Sequence, residues 1–225
     1  MTGTLSENHR NILKGYNMLL YFAGTMVMFD PSHECIFDFW SEGILKKLPV
    51  RSSNPRFIKA ASQLRASVED VSRVYEKMKE DYLLLFSGKG EPLAPPYESV
   101  YRNDDRLMFS KHSLNVRDFY QSYGWVSKFK NQIPDDHIGI ELLFLTIMVE
   151  KYLELDDNVC HIEMRKEIMR FIDEHILSWV PEWNENIQDN ALTTGYKGIG
   201  TLIHACTEDI YSLMDTAKQQ DRRPD

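Results

Sequence analysis

Apolar residues recur at steps of three and four along almost the whole chain, and nowhere do they alternate with polar residues over a strand's length. That period is the helical one, so the expectation is an all-α fold without a sheet. In the first segment Ile12, Tyr16, Leu19, Ala23 and Val27 form one stripe, closed by Asp30-Pro31 because a residue before proline leaves the helical region. A second helix is expected over Ser32–Lys47, with Ile36, Phe39, Trp40 and Ile44 inward and Leu48-Pro49 as its stop. A weaker third covers Pro55–Leu64. Ser67-Val-Glu-Asp70 then reads as a capping motif opening a helix with Val68, Val71, Tyr75, Met78, Tyr82 and Leu85 on one face. Its end is expected at Phe86-Ser87-Gly88, where glycine permits a left-handed residue.

Residues 88–111 break the pattern. The stretch holds Gly88, Gly90, Pro92, Pro95 and Pro96, yet also Tyr97, Val100, Tyr101, Leu107, Met108 and Phe109. A linker would be polar; a long apolar loop in a compact domain is expected to be ordered and functional. Helical spacing resumes at Ser113 with Val116, Phe119, Tyr120 and Tyr123. After the connector Phe129–Pro134, Asp135-Asp136 leads a helix reaching about Leu155. One more segment runs through Ile162, Met169, Ile172 and Ile176 to Trp179-Val-Pro181, and a last one over Tyr196–Ala217. A frayed polar tail is expected from Gln219. No repeat or domain boundary appears, so residues 1–225 read as one multi-helix bundle with its core over about 10–215.

Composition narrows the function classes. Of 225 residues, 34 are acidic and 26 basic, a net charge of −8, which disfavours a nucleic-acid partner. Cys35, Cys160 and Cys206 are far apart, which suggests buried thiols in a reducing compartment rather than a disulfide framework. Met1–Arg10 is polar and leads to no cleavage site of small residues. Ile12–Phe29 carries Lys14 and Asn17 and is shorter than a membrane span, so it reads as a core helix. A soluble cytoplasmic protein without membrane insertion is the expectation.

The catalytic constellations are missing. His33-Glu34 is followed by Phe37 where a second metal-ligating histidine would stand, and there is no Glu-x-x-His pair, phosphate loop or nucleophile elbow. Gly195, Gly198 and Gly200 follow no strand and read as a flexible helix entry. His137 and Glu141 lie one turn apart, but two ligands do not make a metal site. Neither an enzyme nor a cofactor is expected.

Two segments stand out. One is Glu91-Pro-Leu-Ala-Pro95-Pro96-Tyr97-Glu98-Ser99-Val100-Tyr101; the other is Ile133-Pro134-Asp135-Asp136-His137-Ile138-Gly139-Ile140-Glu141-Leu142-Leu143-Phe144. With Leu85-Phe86-Ser87-Gly88 before them and Trp179-Val-Pro181 after, they resemble the TorD/DmsD/NarJ family of molybdoenzyme maturation chaperones. The resemblance covers about residues 10–215, and it departs at Ile133, where the family often has a glutamate.

The resemblance implies an all-helical fold, sometimes a domain-swapped dimer, so monomer and homodimer both stay open. It implies binding of the twin-arginine signal peptide and the apo form of a molybdenum-cofactor-containing oxidoreductase, with cofactor insertion assisted and export delayed until folding is complete. Nucleotide binding is associated with some members. A GTP-binding or GTP-hydrolysing helical protein and a helical scaffold without leader recognition are the rival readings.

The residues suit a leader of two guanidiniums followed by an apolar stretch. Residues 131–160 hold seven acids and one base, and carboxylates pair with arginine bidentately. The candidate signal-peptide residues are Phe86, Tyr97, Glu98, Ser99, Tyr101, Asp136, His137 and Glu141. Pro95, Pro96 and Pro134 would shape the loop. Asp136 and His137 are first choice for the arginine end and the two tyrosines for the apolar part, with ten methionines as adaptable surface. Each has a plainer role as well. Asp135 or Asp136 can cap the following helix, His137 can bond the loop, Glu141 can tie the loop down, and Trp125 can be core.

Overall fold

In this computed structural model of the protein, residues 6–31, 47–67, 71–88, 90–102, 111–130 and 132–221 are described. Expectations for Ser32–Lys46, for Val68 to Asp70 and for Leu107, Met108 and Phe109 lie outside them. Nine α-helices and no strand occur among the described residues: α1 Glu7–Met28, α2 Pro55–Ala66, α3 Val71–Tyr82, α4 Glu98–Arg102, α5 Lys111–Ser122, α6 Ile138–Glu154, α7 Asn158–Phe171, α8 Val180–Asn190 and α9 Thr194–Asp221. Leu83–Ser87 continues α3, and Ile172–Ile176 continues α7, each as a π turn.

The α1 helix starts where Ser6 accepts a hydrogen bond from the His9 amide, and its stripe of Leu13, Tyr16, Leu20, Ala23 and Val27 is buried. It packs antiparallel on α6. Asn17 Nδ2 donates to Thr146 O at 3.0 Å, and the helices come closest where Gly24 meets Gly139 and Leu142. No helix among the described residues is long and apolar enough to cross a membrane. α9 runs through the bundle, packing most extensively on α2 and also on α1, α7 and α8. Its backbone stays helical to Asp221, past Gln219, where composition predicts a frayed tail.

Several expectations need correcting. The glycines of α9 supply close packing inside a helix rather than flexibility at its entry. A Cβ on Gly198 would stand 2.7 Å from Leu64 Cγ and 3.1 Å from the Leu64 amide nitrogen. Gly88 is extended (φ −66°, ψ 173°) instead of left-handed, because the helix before it widens into the π turn rather than closing in an αL cap. Trp179-Val-Pro181 begins α8 instead of only ending a helix. Proline suits the first turn, where no amide donor is needed, and Val180, Trp183 and Ile187 then face the core. The long loop is interrupted by α4. Cys206 is buried, whereas Cys160 is exposed at the start of α7.

Candidate functional site

Both singled-out segments meet at one place. The proline-rich loop is first pinned to the π turn after α3, where the Leu93 and Ala94 amides donate to Leu84 O and Leu85 O. Trp183 Nε1 donates to Ala94 O at 3.2 Å, tying the same loop to α8. Beyond Pro96 the loop runs against Asp136-His137 as a short antiparallel bridge between Tyr97 and His137. Ile138 N donates to Pro96 O and Glu98 N donates to Asp136 O, each at 2.9 Å. Prolines suit this course because only every other amide of the bridge needs an acceptor.

Asp136 caps α4: its Oδ2 accepts from the Ser99 amide at 3.1 Å with both residues buried. The cap of α6 is His137, not an aspartate. Its Nδ1 accepts from the Gly139 amide at 2.9 Å, which leaves the ring proton on Nε2. Burial lowers the His137 pKa to about 3, so the imidazole is neutral at neutral pH. Its ring meets that of Tyr97 edge to face, with 5.2 Å between centroids. Burial, followed by the Asp136 charge, raises the Tyr97 hydroxyl above its ordinary range.

Asp135 turns the other way. Its Oδ2 accepts a hydrogen bond from Arg117 Nε at 2.5 Å, and its carbonyl accepts from Tyr120 Oη. Glu98 lies on the inner side, with Oε2 at 3.1 Å from His175 Nδ1 and Oε1 at 3.5 Å from Arg102. Glu141 is fully buried, facing Glu98 and Trp179. Desolvation raises its pKa well above the carboxylate range, and the nearby charges of Glu98 and Asp136 add to the rise. It therefore keeps its proton to a higher pH than a free carboxyl does.

Phe86 lies in the core, stacked on Trp183 and edge-on to Tyr196. Tyr101 is half-buried and stacked on Trp179, which itself donates to His175 O. Pro134 precedes the bridge and its carbonyl accepts from the His137 amide. Trp125 packs half-buried against Tyr120 and Phe144.

The acids of residues 131–160 do not form one field. Asp135, Asp136 and Glu141 are buried at one end of α6, while Glu150, Glu154, Asp156 and Asp157 are exposed at the other. From Glu141 to Glu150, nine residues of helix, roughly 14 Å, separate the two groups.

Sequence reasoning finds the two segments and their meeting, but misses Arg117, Tyr120, Arg102 and His175. Those four approach from α5, α4 and the second π turn, and no local spacing marks a partner 77 positions away. Beside Glu98 and His175 a cavity of about 460 Å³ opens, its walls including Asp118 and Glu174 as well as Arg102 and Arg170. Arg102 donates to Glu174 O at 2.5 Å across this wall.

Residues 54–185, more than half of the chain, match the family profile described as "Nitrate reductase delta subunit". The chain belongs to that family. The match spans the proline-rich loop, the bridge and α6. Relatives named as chaperones are similar to it. "Chaperone protein TorD" of Psychrobacter sp. (strain PRwf-1) is 27% identical over 146 residues, 64% of this chain and 65% of the relative. "Probable Tat proofreading chaperone DmsD" of Haemophilus influenzae is 26% identical over 145 residues, 64% of each. "Chaperone protein TorD" of Aliivibrio fischeri is 30% identical over 112 residues, 48% of this chain and 51% of the relative. The chain thus spans between half and two thirds of the curated relatives it matches.

Proposed function

We propose that this protein is a cytoplasmic, non-enzymatic chaperone for the precursor of a molybdenum-cofactor-containing oxidoreductase. It binds the twin-arginine signal peptide and the apo-enzyme, assists cofactor insertion, and delays export until folding is complete. Membership of the family and the chaperone names of its relatives support the class. One geometric observation supports the reading: the motif residues Asp136, His137 and Glu141 are buried inside the hub, while a cavity walled by both acids and arginines stays open beside it. Such a hub suits holding a surface in shape and does not suit moving protons.

The candidate residues then divide. Tyr97 and Tyr101 keep accessible aromatic surface for the leader's apolar part. Asp136, His137, Ser99, Glu141 and Phe86 act from inside as positioning residues. Glu98, at the inner wall, meets the guanidinium end with Asp118 and Glu174.

Fluorescence anisotropy with labelled twin-arginine leaders, each beside a version with both arginines changed to glutamine, tests this. One leader should bind, its glutamine version should not, and high salt should weaken the complex. Equal binding of both versions refutes the arginine seat, and no binding to any leader refutes leader recognition.

A further inference from the structure

A long groove runs between α1 and α6 on their outer face. Antiparallel packing sets what stands level with what. Asn17 meets Thr146 and Gly24 meets Gly139, so Lys14 comes level with Glu150 and Arg10 with Glu154. All four line a cavity of about 540 Å³, cations on the α1 wall and carboxylates on the α6 wall. None of them makes an ion pair among the described residues. Tyr21, 58% exposed, lines this cavity and also a smaller one of about 120 Å³ at the level of Gly24. Gly24, Met28, Phe29, Phe129 and Leu143 make the smaller pocket largely apolar, with Lys128 laid over the Phe129 ring. A water's share of the liquid is about 30 Å³, so this pocket has room for roughly four waters, or for the four carbons of one leucine side chain. Together the two cavities make one groove, with an apolar socket at one end and facing rows of opposite charge at the other.

We infer that this groove docks an amphipathic helix of another polypeptide. That helix carries one apolar side chain for the socket and, further along, acids on one flank and bases on the other. A helix fits where a strand does not. Both walls are helices whose amides and carbonyls are already bonded, so an extended chain laid between them would leave its own backbone groups unpaired. A helix satisfies its backbone internally and lays its ridges between those of α1 and α6. From Gly24 the steps to Lys14 and Arg10 are ten and fourteen residues, roughly 15 and 21 Å, or about three and four turns. The partner helix therefore spans about five turns. Its acids meet Lys14 and Arg10, and its bases meet Glu150 and Glu154.

Charge complementarity selects this occupant. A segment of a single charge sign satisfies one wall and is repelled by the other. A twin-arginine leader offers two guanidiniums and an apolar stretch, with no acid for Arg10 and Lys14. The groove also reads direction, because the socket lies at one end only. Turning the helix end for end would carry its apolar side chain to the charged end. The inference goes beyond leader recognition and does not rest on it.

Two synthetic helical peptides of about 18 residues test it, each with a leucine near one end and a glutamate and lysine pair at both the third and the fourth turn beyond. They share one composition and differ only in which flank carries the acids. Fluorescence anisotropy with the full chain should show one isomer bound at least about 10-fold more tightly than the other. Alanine in place of its leucine should weaken that isomer by a similar factor. A chain carrying Arg10→Glu, Lys14→Glu, Glu150→Lys and Glu154→Lys keeps the net charge of −8 and should prefer the other isomer. Circular dichroism checks its helical content, and Glu150→Lys alone, a milder change, should cut the native preference about threefold. Binding of neither isomer, equal binding of both, or a preference that ignores the exchanged charges overturns the inference. A twin-arginine leader whose binding follows the exchange overturns it as well, since the leader would then be the occupant.

Discussion

Replacing Asp136 by alanine tests whether the most prominent motif residue is a brace or a contact. The substitution removes the acceptor for the Ser99 amide, which sits in the first turn of α4 and has no intrahelical partner. Donor and acceptor are both buried, so the amide cannot turn to water. A hydrogen bond to a charged acceptor contributes about 1.5–3 kcal/mol, and loss of a capping side chain costs about 0.5–2 kcal/mol. A net destabilisation of about 2 kcal/mol follows, which for a chain of this size is a fall in Tm of roughly 4–8 °C. Asp136→Asn keeps an acceptor oxygen and should lose about half as much. Calorimetry and urea unfolding give the stabilities, and leader anisotropy on the same samples gives the binding. An unmoved unfolding midpoint together with abolished leader binding would refute the bracing argument and make Asp136 a direct contact.

Three further outcomes follow from the same geometry. The His137 ring should stay neutral from pH 8 down to about 4 in a two-dimensional NMR titration. Because its folded pKa lies below the unfolded value near 6.5, its contribution to stability is full above that value. It is lost as pH falls toward 3, by up to about 1.4 kcal/mol per pH unit; a ring titrating near 6.5 would show it solvated. Glu141→Gln should leave stability unchanged near pH 4, where the acid is protonated folded and unfolded, and should stabilise increasingly as pH rises above that. The folded carboxyl holds its proton when the unfolded one has released it, so urea midpoints at pH 4.5 and 8 check the sign. Gly198→Val should cost about 1–3 kcal/mol, because its Cβ meets both the side chain and the backbone of Leu64; an unchanged Tm would mean that α2 and α9 can separate freely.

Period and punctuation determined much of this protein. Three-and-four spacing along Tyr16, Leu19, Ala23 and Val27 can be satisfied only by a helix with one buried face, and α1 buries those residues. The two motif segments were legible as well, since prolines, aromatics and paired acids at such spacing suit neither a linker nor a solvated helix. Pro181 shows the limit of local reading, because a proline ends one helix or begins another depending on what packs after it.

Roles inside the hub were decided by tertiary structure. Asp135 and Asp136 are adjacent and chemically identical, yet one pairs with Arg117 from α5 and the other caps α4. Solvent cannot reach Glu141, while Glu150, less than three turns along the same helix, is exposed. Charge counts along a sequence add these carboxylates together. Burial separates them, because the energy of a charge depends on the medium and partners around it, and only the folded chain sets those.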